Sequence, residues 1–526
     1  MPRTSRKVAG QASTRRADKT RGRATGQAGK AAQAAEKGGG AQAALLTMEQ
    51  AIERLRTTRP TFYRWLRAGK IKGMKVGRQW RFNPDDVERF LRGQEPQIDL
   101  PVGTDALMEA LGTALRKAGV SEAVAAHDDP VVRVVQGLVM LGLRSGASDI
   151  HVQPMKEPGD EPGEAQVRLR LDGVLHEALR FDLRLLPAVV ERIKRMAACD
   201  PLNRRTPQDG RVMMTIGKSP VDLRVNIVPA LYGEAVTMRL LHREAIALTL
   251  DQLPYGPREM RVLREAIGSP YGVIVVAGPA GSGKTTTLYC ALKQLNQPQR
   301  KIITIEDPVE YAFAGMVQMQ LNPKEGLTFE SAMRSCLRAD PDVIMMGEIR
   351  SKDAMQMCMQ ASLTGHLVMT TLHTNTAAGT LMRLRDLGGE GFVIGEAVRL
   401  VMAQRLVRKL CPHCSKADKP AAQVLEQAMS LAREGGVRCD ELPQQFRKAV
   451  GCEKCASTGY RGRTVLAEMM PMTAQLGTAI RRGASEEELQ ALAVGQGMTT
   501  LAADGVRRAA HGETTLAEVL RVLAGG

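Results

Sequence analysis

The sequence predicts a multidomain protein whose largest part is an α/β domain with a mainly parallel sheet. Residues 250–410 alternate apolar strands with helical segments, which is the pattern of such a sheet. The segment GPAGSGKT (278–285) lies between the apolar strand YGVIVVA and the helical segment TTTLYCALKQL. The first 94 residues differ in charge and composition from the rest, which indicates a separate front part. A length of 526 residues is sufficient for three or four domains.

The net charge of +17 is concentrated at the front of the chain. Residues 1–40 carry +8 and residues 45–94 carry +7, whereas the remainder is nearly neutral. A local excess of this kind favours a polyanionic partner, either nucleic acid or an acidic membrane surface. Residues 1–43 contain almost no large apolar side chains, so we expect a disordered basic tail.

Residues 45–94 contain the helix-capping and turn residues of a small helical unit with a hairpin. Thr47 and Gln50 form a capping-box pattern before the first helix. A second helix begins near Pro60, carries Phe62, Trp65 and Leu66 inward, and ends at Gly69. The segment MKVGRQWRF predicts a hairpin that turns at Gly77-Arg78. Asn83 caps a last helix that places Val87, Phe90 and Leu91 on one face.

This unit resembles the excisionase and MerR-like winged helix-turn-helix family through LTMEQAIERL, FYRWLRAGKIKG and VGRQWRF. The resemblance implies that the second helix enters the major groove of DNA and that the hairpin lies on the backbone. The alternative is a solvated basic face on a protein-binding domain, because a fold of this kind does not determine its function. The candidate DNA contacts are Arg59, Thr61, Tyr63, Arg64, Arg67, Arg78 and Arg81.

Further along the chain we expect a linker at 95–129 that ends in a short helix, an α+β domain at 130–247 and the α/β domain at 250–526. No apolar run approaches the roughly 18–20 residues that span a bilayer, and the N-terminus lacks the apolar region of a secretory signal. We therefore expect a cytoplasmic protein. Its nine cysteines are then not expected to form a disulfide framework.

The glycine-rich segment has the form G-x-x-x-x-G-K-[ST] between a strand and a helix, the context that this phosphate-binding motif requires. Backbone N–H groups of the loop would surround the phosphates of a nucleoside triphosphate, and the helix N-terminus favours their charge. Lys284 would reach the β- and γ-phosphates, and Thr285 would hold Mg²⁺. The predicted nucleotide-binding residues are Gly278, Pro279, Ala280, Gly281, Ser282, Gly283, Lys284, Thr285 and Thr286.

Three later segments place polar residues beside predicted strands. KIITIEDPVEY (301–311) ends in Glu306, Asp307 and Glu310; DPDVIMMGEIR (340–350) contains Glu348; TGHLVMTTLHTN (364–375) contains His366 and His373. In a parallel sheet such residues meet at the carboxyl ends of the strands. Phosphoryl transfer needs carboxylates near the attacking water and the metal, together with groups that contact the γ-phosphate.

The order of these segments resembles the type II secretion and type IV pilus assembly ATPases, within the RecA-like secretion ATPase superfamily, over roughly residues 130–526. This resemblance implies that the nucleotide is ATP and that Glu310 polarises the attacking water. Glu306 and Asp307 would support Glu310 in this role. Glu348 is the Walker B glutamate. His373 and His366 contact the γ-phosphate region. The family usually has more acidic residues after GEIR, whereas this chain retains Asp353.

The preceding α+β domain also matches this family, in which a PAS-like second N-terminal domain closes over the nucleotide and supplies arginines. The matching segments include ASDIHVQP, VRLRLDGVL, RRTPQDGRV, VDLRV and LYGEAVTMRLL. The resemblance makes Arg211, Arg224 and Arg239 candidates for neutralising charge on the γ-phosphate. For each arginine a surface ion pair is the alternative.

Two C-x₂-C pairs, Cys411/Cys414 and Cys452/Cys455, have the spacing of a structural zinc site, which we place in a segment at 405–465. Four thiolates around one Zn²⁺ leave no open position for catalysis. The family resemblance agrees, because its assembly-type members carry such a site and its retraction members lack it.

The sequence as a whole predicts an ATP-hydrolysing motor, with Mg²⁺ and structural Zn²⁺, for type II secretion or for type IV pilus or pseudopilus assembly. The resemblance implies a homo-hexamer that works on platform proteins at the inner membrane of a bacterium. The front unit would tether this motor to double-stranded DNA or to a docking partner. The alternatives are an ATPase that acts directly on nucleic acid, such as a DNA-transfer motor, and a DNA-binding regulator with an inactive motor.

Overall fold

The computed structural model describes residues 45–67, 70–77, 79–92, 103–120, 124, 127–157, 159, 163–216, 219–241 and 248–524. The predicted disordered tail, the end of the second helix at Gly69 and the turn residue Arg78 lie outside these ranges. No helix within the described ranges is both long enough and apolar enough to cross a membrane.

The front unit combines three helices with a three-stranded antiparallel sheet of order β1-β3-β2. Its elements are β1 (Leu46–Thr47), α1 (Met48–Arg54), α2 (Arg59–Arg67), β2 (Met74–Val76), β3 (Gln79–Phe82) and α3 (Pro84–Leu91). Thr47 and Gln50 form the predicted capping box, and Val76 pairs with Gln79 across the predicted two-residue turn. Phe62 and Phe82 meet edge to face at 5.0 Å in the core. The placement of Leu91 on the inner face is wrong, since its side chain is 57% exposed.

The second unit is a six-stranded sheet of order β6-β5-β4-β9-β8-β7, antiparallel at every pairing. Alternation along the strands buries one face, with Ile150, Leu169, Val225 and Met238 in one cross-strand row. The elements are α4 (Asp105–Lys117), α5 (Pro130–Arg144), β4 (Asp149–Met155), β5 (Glu164–Leu171), β6 (Val174–Asp182), α6 (Leu186–Met196), β7 (Gln208–Ile216), β8 (Ser219–Ala230) and β9 (Gly233–Leu241).

Helix α4 (Asp105–Lys117) confirms the short helix expected after a linker, but it packs in the core of this second unit and is not part of a linker. Its leucines recur at helical spacing, and Leu107, Leu111 and Leu115 are buried in the same core as α5, α6 and the sheet. Gly137 of α5 permits this contact, because a Cβ there would lie 2.3 Å from the Leu111 side chain.

The third unit is a seven-stranded sheet of order β12-β11-β13-β14-β10-β15-β18. All pairings are parallel except that of β18 with β15. Its first elements are α7 (Pro257–Ile267), β10 (Gly272–Ala277), α8 (Lys284–Leu295), β11 (Ile302–Glu306), β12 (Met316–Gln320), α9 (Phe329–Leu337), β13 (Val343–Met346), α10 (Lys352–Leu363), β14 (Leu367–Leu372), α11 (Ala377–Asp386), α12 (Gly391–Ala397) and β15 (Val398–Leu410). The later elements are β16 (Lys416–Ala417), α13 (Ala422–Glu434), β17 (Arg447–Lys448), β18 (Tyr460–Pro471), α14 (Ala474–Arg481), α15 (Glu486–Gly495), α16 (Leu501–Ala510) and α17 (Leu516–Ala524).

This third sheet is covered on both faces, as its continuous apolar strands require. Val273 and Val275 of β10 enter one hydrophobic core, whereas Ile274 and Val276 enter the other. The mainly parallel sheet predicted from residues 250–410 is therefore confirmed. Because β10, β11, β13 and β14 run in the same direction, their carboxyl ends meet at one edge of the sheet.

Candidate active site

The glycine-rich loop joins the carboxyl end of β10 to the first residue of α8. Gly278, Gly281 and Gly283 have φ values of +146°, +76° and +91°, which disfavour residues with a Cβ. A Cβ on Gly278 would also lie 2.5 Å from Ser282 Oγ and 2.6 Å from the Gln404 carbonyl oxygen. The loop therefore adopts the tight backbone conformation that its glycines predict, at the N-terminus of a twelve-residue helix.

Lys284 folds back over this loop. Its Nζ donates to the carbonyl oxygens of Gly278 at 2.6 Å and Pro279 at 3.0 Å. Burial lowers the pKa of Lys284 to about 8. An approaching phosphate would favour the charged ammonium and so oppose this effect of burial.

A set of buried hydrogen bonds behind the loop was not predicted from the sequence. Gln404 of β15, which is 1% exposed, donates from Nε2 to the Ser282 carbonyl oxygen at 2.7 Å. Its Oε1 accepts from Thr287 and Tyr255, both at 3.2 Å, and the two hydroxyls are 2.7 Å apart. These contacts tie the loop to the strand beside β10. A glutamine in an apolar strand and a tyrosine before a helix carry no motif that would have identified them.

The loop opens onto a cleft of about 640 Å³ at the carboxyl ends of the strands. Glu348, which follows β13, and His373, which follows β14, both line it, and His373 Nε2 lies 3.0 Å from Glu348 Oε2. Arg350 also pairs with Glu348. The structure thus brings the Walker-type lysine, this glutamate and this histidine to one cavity.

The two acidic residues that end β11 have different environments. Glu306 is 4% exposed, and its carboxylate accepts from Tyr289, from Thr304 at 2.6 Å and from Gln318 at 3.2 Å. Burial, and then this bond to Glu306, raises the pKa of Tyr289. The carboxylate of Glu306 therefore accepts hydrogen bonds from three side chains and has a structural role at the end of β11. Asp307 is half exposed, lines the cleft and lies 3.4 Å from Arg350.

Glu310 lies at the boundary with the second unit. Both of its carboxylate oxygens are 3.0 Å from the guanidinium of Arg224, one from Nη1 and the other from Nη2. Arg224 also donates to the Val309 carbonyl oxygen at 3.1 Å. The antiparallel sheet therefore reaches the nucleotide cleft directly at Glu310, which is itself part of the cleft lining.

The three predicted arginines form one row across the antiparallel sheet. Arg211 of β7 is directly opposite Arg224 of β8, which is directly opposite Arg239 of β9. Arg211 pairs with Asp222, and Arg239 donates from Nε to Asp149 at 3.0 Å. Arg211 and Arg239 remain 53% and 63% exposed, so both retain access to a further anion.

The prediction that His366 contacts the γ-phosphate region is wrong. His366 precedes β14, and the next residue, Leu367, pairs with Gly272 at the start of β10. The phosphate loop follows the opposite end of β10, where Ala277 pairs with Leu372, and a strand of six residues separates the two ends by about 17–20 Å. His366 Nδ1 instead lies 2.8 Å from the Ala361 carbonyl oxygen.

The four cysteines of the two C-x₂-C pairs meet in one cluster. The Sγ–Sγ distances are 3.9 Å for Cys411–Cys452, 3.8 Å for Cys414–Cys455 and 3.7 Å for Cys452–Cys455. Burial raises the pKa of the Cys455 thiol, but hydrogen bonds from the backbone amides of Cys452 and Gly459 have the larger, opposite effect. The pKa of this thiol is therefore lowered to about 6. These amide donors favour a thiolate at Cys455, whereas burial raises the pKa of the Cys414 thiol to about 11.

The front unit presents part of its predicted basic face. Arg59 and Arg64 of α2 are exposed, whereas Thr61, Tyr63 and Arg81 are partly buried. Arg81 donates to Gln79 Oε1 at 2.7 Å. The side chain of Arg67 is not described, and Arg78 lies outside the described residues.

Known proteins resemble this chain over most of its length. A family model for type II/IV secretion system proteins matches residues 124–521, and a helix-turn-helix domain model matches residues 45–95. The chain is 42% identical over 437 residues to the type IV pilus assembly ATPase PilB of Myxococcus xanthus, covering 82% of this chain and 75% of that protein. It is 40% identical over 426 residues to type II secretion system protein E of Aeromonas hydrophila, covering 79% and 82%.

The fold has a solved counterpart in the ATPase DotB of Legionella pneumophila, with a TM-score of 0.54 at 20% identity, over 77% of this chain and 100% of that one. This similarity concerns the fold alone. The family match over residues 124–521 and the two relatives above 30% identity carry the further conclusion. The chain belongs to the type II/IV secretion system protein family.

Proposed function

We propose that this protein is an ATP-hydrolysing motor for type II secretion or for type IV pilus or pseudopilus assembly. The observation that carries this proposal is the single cleft lined by Lys284, Glu310, Glu348 and His373. The names of the relatives, a pilus assembly ATPase and secretion proteins E, support the same function. They do not favour a motor that acts directly on nucleic acid.

The residues of the cleft fit ATP with Mg²⁺. The loop glycines leave room for phosphate oxygens, and Lys284 would exchange its bonds to two loop carbonyls for bonds to the β- and γ-phosphates. The exposed hydroxyl of Thr285 lies in the cleft where it would hold Mg²⁺, with Thr286 beside it. Bound Mg²⁺ supplies charge neutralisation between the phosphates.

Glu310 and Glu348 would share the work of hydrolysis. We propose that Glu310 accepts a proton from the attacking water and that Arg224, its partner in the structure, holds its carboxylate in place until the two units close. Glu348 would act near Mg²⁺, and its contact with His373 would hold the imidazole towards the γ-phosphate. Asp307 would help to position Arg350, which also pairs with Glu348. Glu306 would stabilise the end of β11 through its buried hydrogen bonds.

The arginine row would neutralise the charge that develops on the γ-phosphate. Each arginine faces one carboxylate in the structure, and a phosphate oxygen would take the place of Glu310 against Arg224 once this carboxylate moves to the attacking water. Arg224 at the centre of the row contacts Glu310, and Glu310 also acts electrostatically on Arg211, whereas Arg239 would act from the far side of the row. We further infer that this antiparallel sheet with helices on one face is the PAS-like domain of the family.

We infer that six copies form a ring and that the motor acts from the cytoplasmic side of the inner membrane, where ATP is available. Its partners would be the platform proteins of a secretion or pilus system. The boundaries 130–247 and 250–526 are our proposal for the two units that move against each other.

The cysteine cluster fits structural Zn²⁺. Four sulfurs on a tetrahedron with Zn–S bonds of about 2.3 Å lie about 3.8 Å apart. The three Sγ–Sγ distances of 3.7–3.9 Å agree with this geometry. The metal would tie the segment after β15 to the segment before β18.

The front unit supports a second role, a tether to double-stranded DNA. The helix-turn-helix match, the +7 charge of residues 45–94 and the exposed Arg59 and Arg64 favour this role. Docking of the same unit on a protein is the alternative.

Replacing Glu348 with Gln should abolish turnover and leave nucleotide binding intact. Loss of the carboxylate should lower kcat by about 10²–10⁴-fold, because Mg²⁺ and His373 are no longer held in position at the γ-phosphate. Phosphate release and equilibrium binding of a fluorescent ATP analogue measure the two effects. Glu265→Gln, on the exposed face of α7, is the matched control. Unchanged turnover by Glu348→Gln would overturn the assignment.

The purified protein should contain about one zinc ion per chain. Cys452→Ser should lose this metal and lower the thermal midpoint, whereas Cys439→Ser, a thiol outside the cluster, should retain it. Elemental analysis by mass spectrometry and thermal denaturation before and after chelation give the answer. Full retention of zinc by Cys452→Ser would refute the site.

Duplex DNA should change the tryptophan fluorescence of the full-length protein, since Trp65 and Trp80 both lie in the front unit. The apparent affinity should fall steeply with salt as counterions are released. Each of Arg59→Ala and Arg64→Ala should reduce the salt slope by about 1, whereas Arg438→Ala, an exposed arginine of the third unit that pairs with Glu441, should not. No change in fluorescence or in sedimentation with DNA at low salt would exclude the tether and favour a protein partner.

A further inference from the structure

The loop that follows His373 is held at each of its next four residues. Thr374 Oγ1 bonds Thr380 Oγ1 at 2.6 Å, and Thr376 Oγ1 donates to Glu486 Oε1 at 2.6 Å. The backbone amide of Ala377 donates to buried Glu468 at 2.7 Å. Asn375 Oδ1 accepts from Arg405 Nη2 at 2.7 Å. Among these contacts, the bond to Arg405 is the one nearest in sequence to His373 that does not come from helix α11, which directly follows the loop.

Arg405 is an unusual residue for its position in β15. Its side chain is in a strand between β10 and β18, and the residue is 4% exposed. Nη1 donates to the Gln404 carbonyl oxygen at 3.1 Å, and Nη2 makes the bond to Asn375. In the part of the chain that the structure describes, no carboxylate lies within 4.0 Å of this guanidinium, and buried Glu468 of β18 acts on it only from a longer distance.

A buried cation of this kind is costly for stability alone. Desolvation disfavours the charge, and two hydrogen bonds to neutral oxygens compensate for it less than a carboxylate would. Residues that break a packing rule in this way are expected at functional positions. The charge of Arg405 also acts at the phosphate loop. After burial, which lowers the pKa of Lys284, and Glu348, which raises it, Arg405 is a further cause that lowers this pKa.

The adjacent residue shows how β15 serves two loops. Gln404 holds the phosphate loop through the Ser282 carbonyl oxygen, and Leu406 lines the nucleotide cleft. Successive side chains of a strand point to opposite faces of the sheet. The side chain of Arg405 therefore lies on the face opposite to Gln404 and Leu406, where it contacts Asn375. One strand thus contacts the loop that binds phosphate and the loop that carries His373.

We propose that Arg405 is a positioning residue for hydrolysis, which through Asn375 holds the loop that places His373 against Glu348. This inference rests on the proposed ATPase function and assigns to it a residue outside the phosphate-contacting motifs. Arg405 does not touch the reacting atoms. Its effect should therefore fall on kcat more than on nucleotide affinity, because the phosphate loop keeps its own support from Gln404.

Arg405→Met tests this with a side chain of similar reach and no donors. In the full-length protein we expect kcat to fall about 10–100-fold, as for a misplaced catalytic group, while the Kd of an ATP analogue changes less than about threefold. Asn375→Ala should lower kcat by a similar factor. The double variant should be no slower than either single one, because both remove the same contact.

Arg408→Met is the matched control, an arginine three positions along the same strand. Its Nη2 is 2.7 Å from Glu518 Oε2, so its loss should lower the thermal midpoint without lowering kcat of the folded protein. Wild-type kcat in Arg405→Met, or multiplicative losses in the double variant, would overturn the proposal. If Arg405→Met does not fold, full activity of Asn375→Ala overturns it and reduced activity with intact nucleotide binding supports it. Absence of hydrolysis by the wild type would instead refute the ATPase proposal itself.

Discussion

The ion pair between Arg224 and Glu310 is the contact on which the arrangement of the site depends. It joins the antiparallel sheet to the end of the parallel one, and the two side chains are only 24% and 33% exposed. Arg224 occupies the centre of a row of three arginines, which neighbouring carboxylates must balance. Asp222 and Asp149 belong to the same sheet as the arginines, whereas Glu310 comes from the nucleotide unit. The electrostatic balance of one unit is therefore completed by a residue of the other.

This dependence links domain arrangement to chemistry. With Glu310 paired to Arg224, closing or opening of the two units changes both the charge next to the cleft and the freedom of its carboxylate. A second contact supports the same boundary: Asp172 accepts from the Gly462 amide at 2.9 Å and lies 3.7 Å from Arg463, which lines the cleft. Both contacts place the turn and strand residues of the antiparallel sheet against the nucleotide side of the molecule.

The parts of the site with strict spacing could be predicted from the sequence. The glycines of the phosphate loop and the four cysteines act through local backbone geometry, and the structure brings each set together. His366 could not be placed correctly from its motif, because one histidine precedes β14 and the other follows it. Gln404 and Arg405 look like polar interruptions of a buried strand until the neighbouring loops are known. The helix Asp105–Lys117 joined the second unit through packing with α5, which composition does not reveal.

Single-turnover hydrolysis of ATP by the full-length Arg224→Gln variant tests most directly whether the two units form one catalytic site. We expect this variant to bind ATP within a few-fold of the wild type and to hydrolyse it at least about 10³-fold more slowly, which is the scale of a lost catalytic arginine. Arg180→Gln, an arginine of the same sheet that pairs with surface Glu177 and Glu164, should hydrolyse ATP at the wild-type rate. Hydrolysis at the wild-type rate by Arg224→Gln would show that the two units do not form one catalytic site.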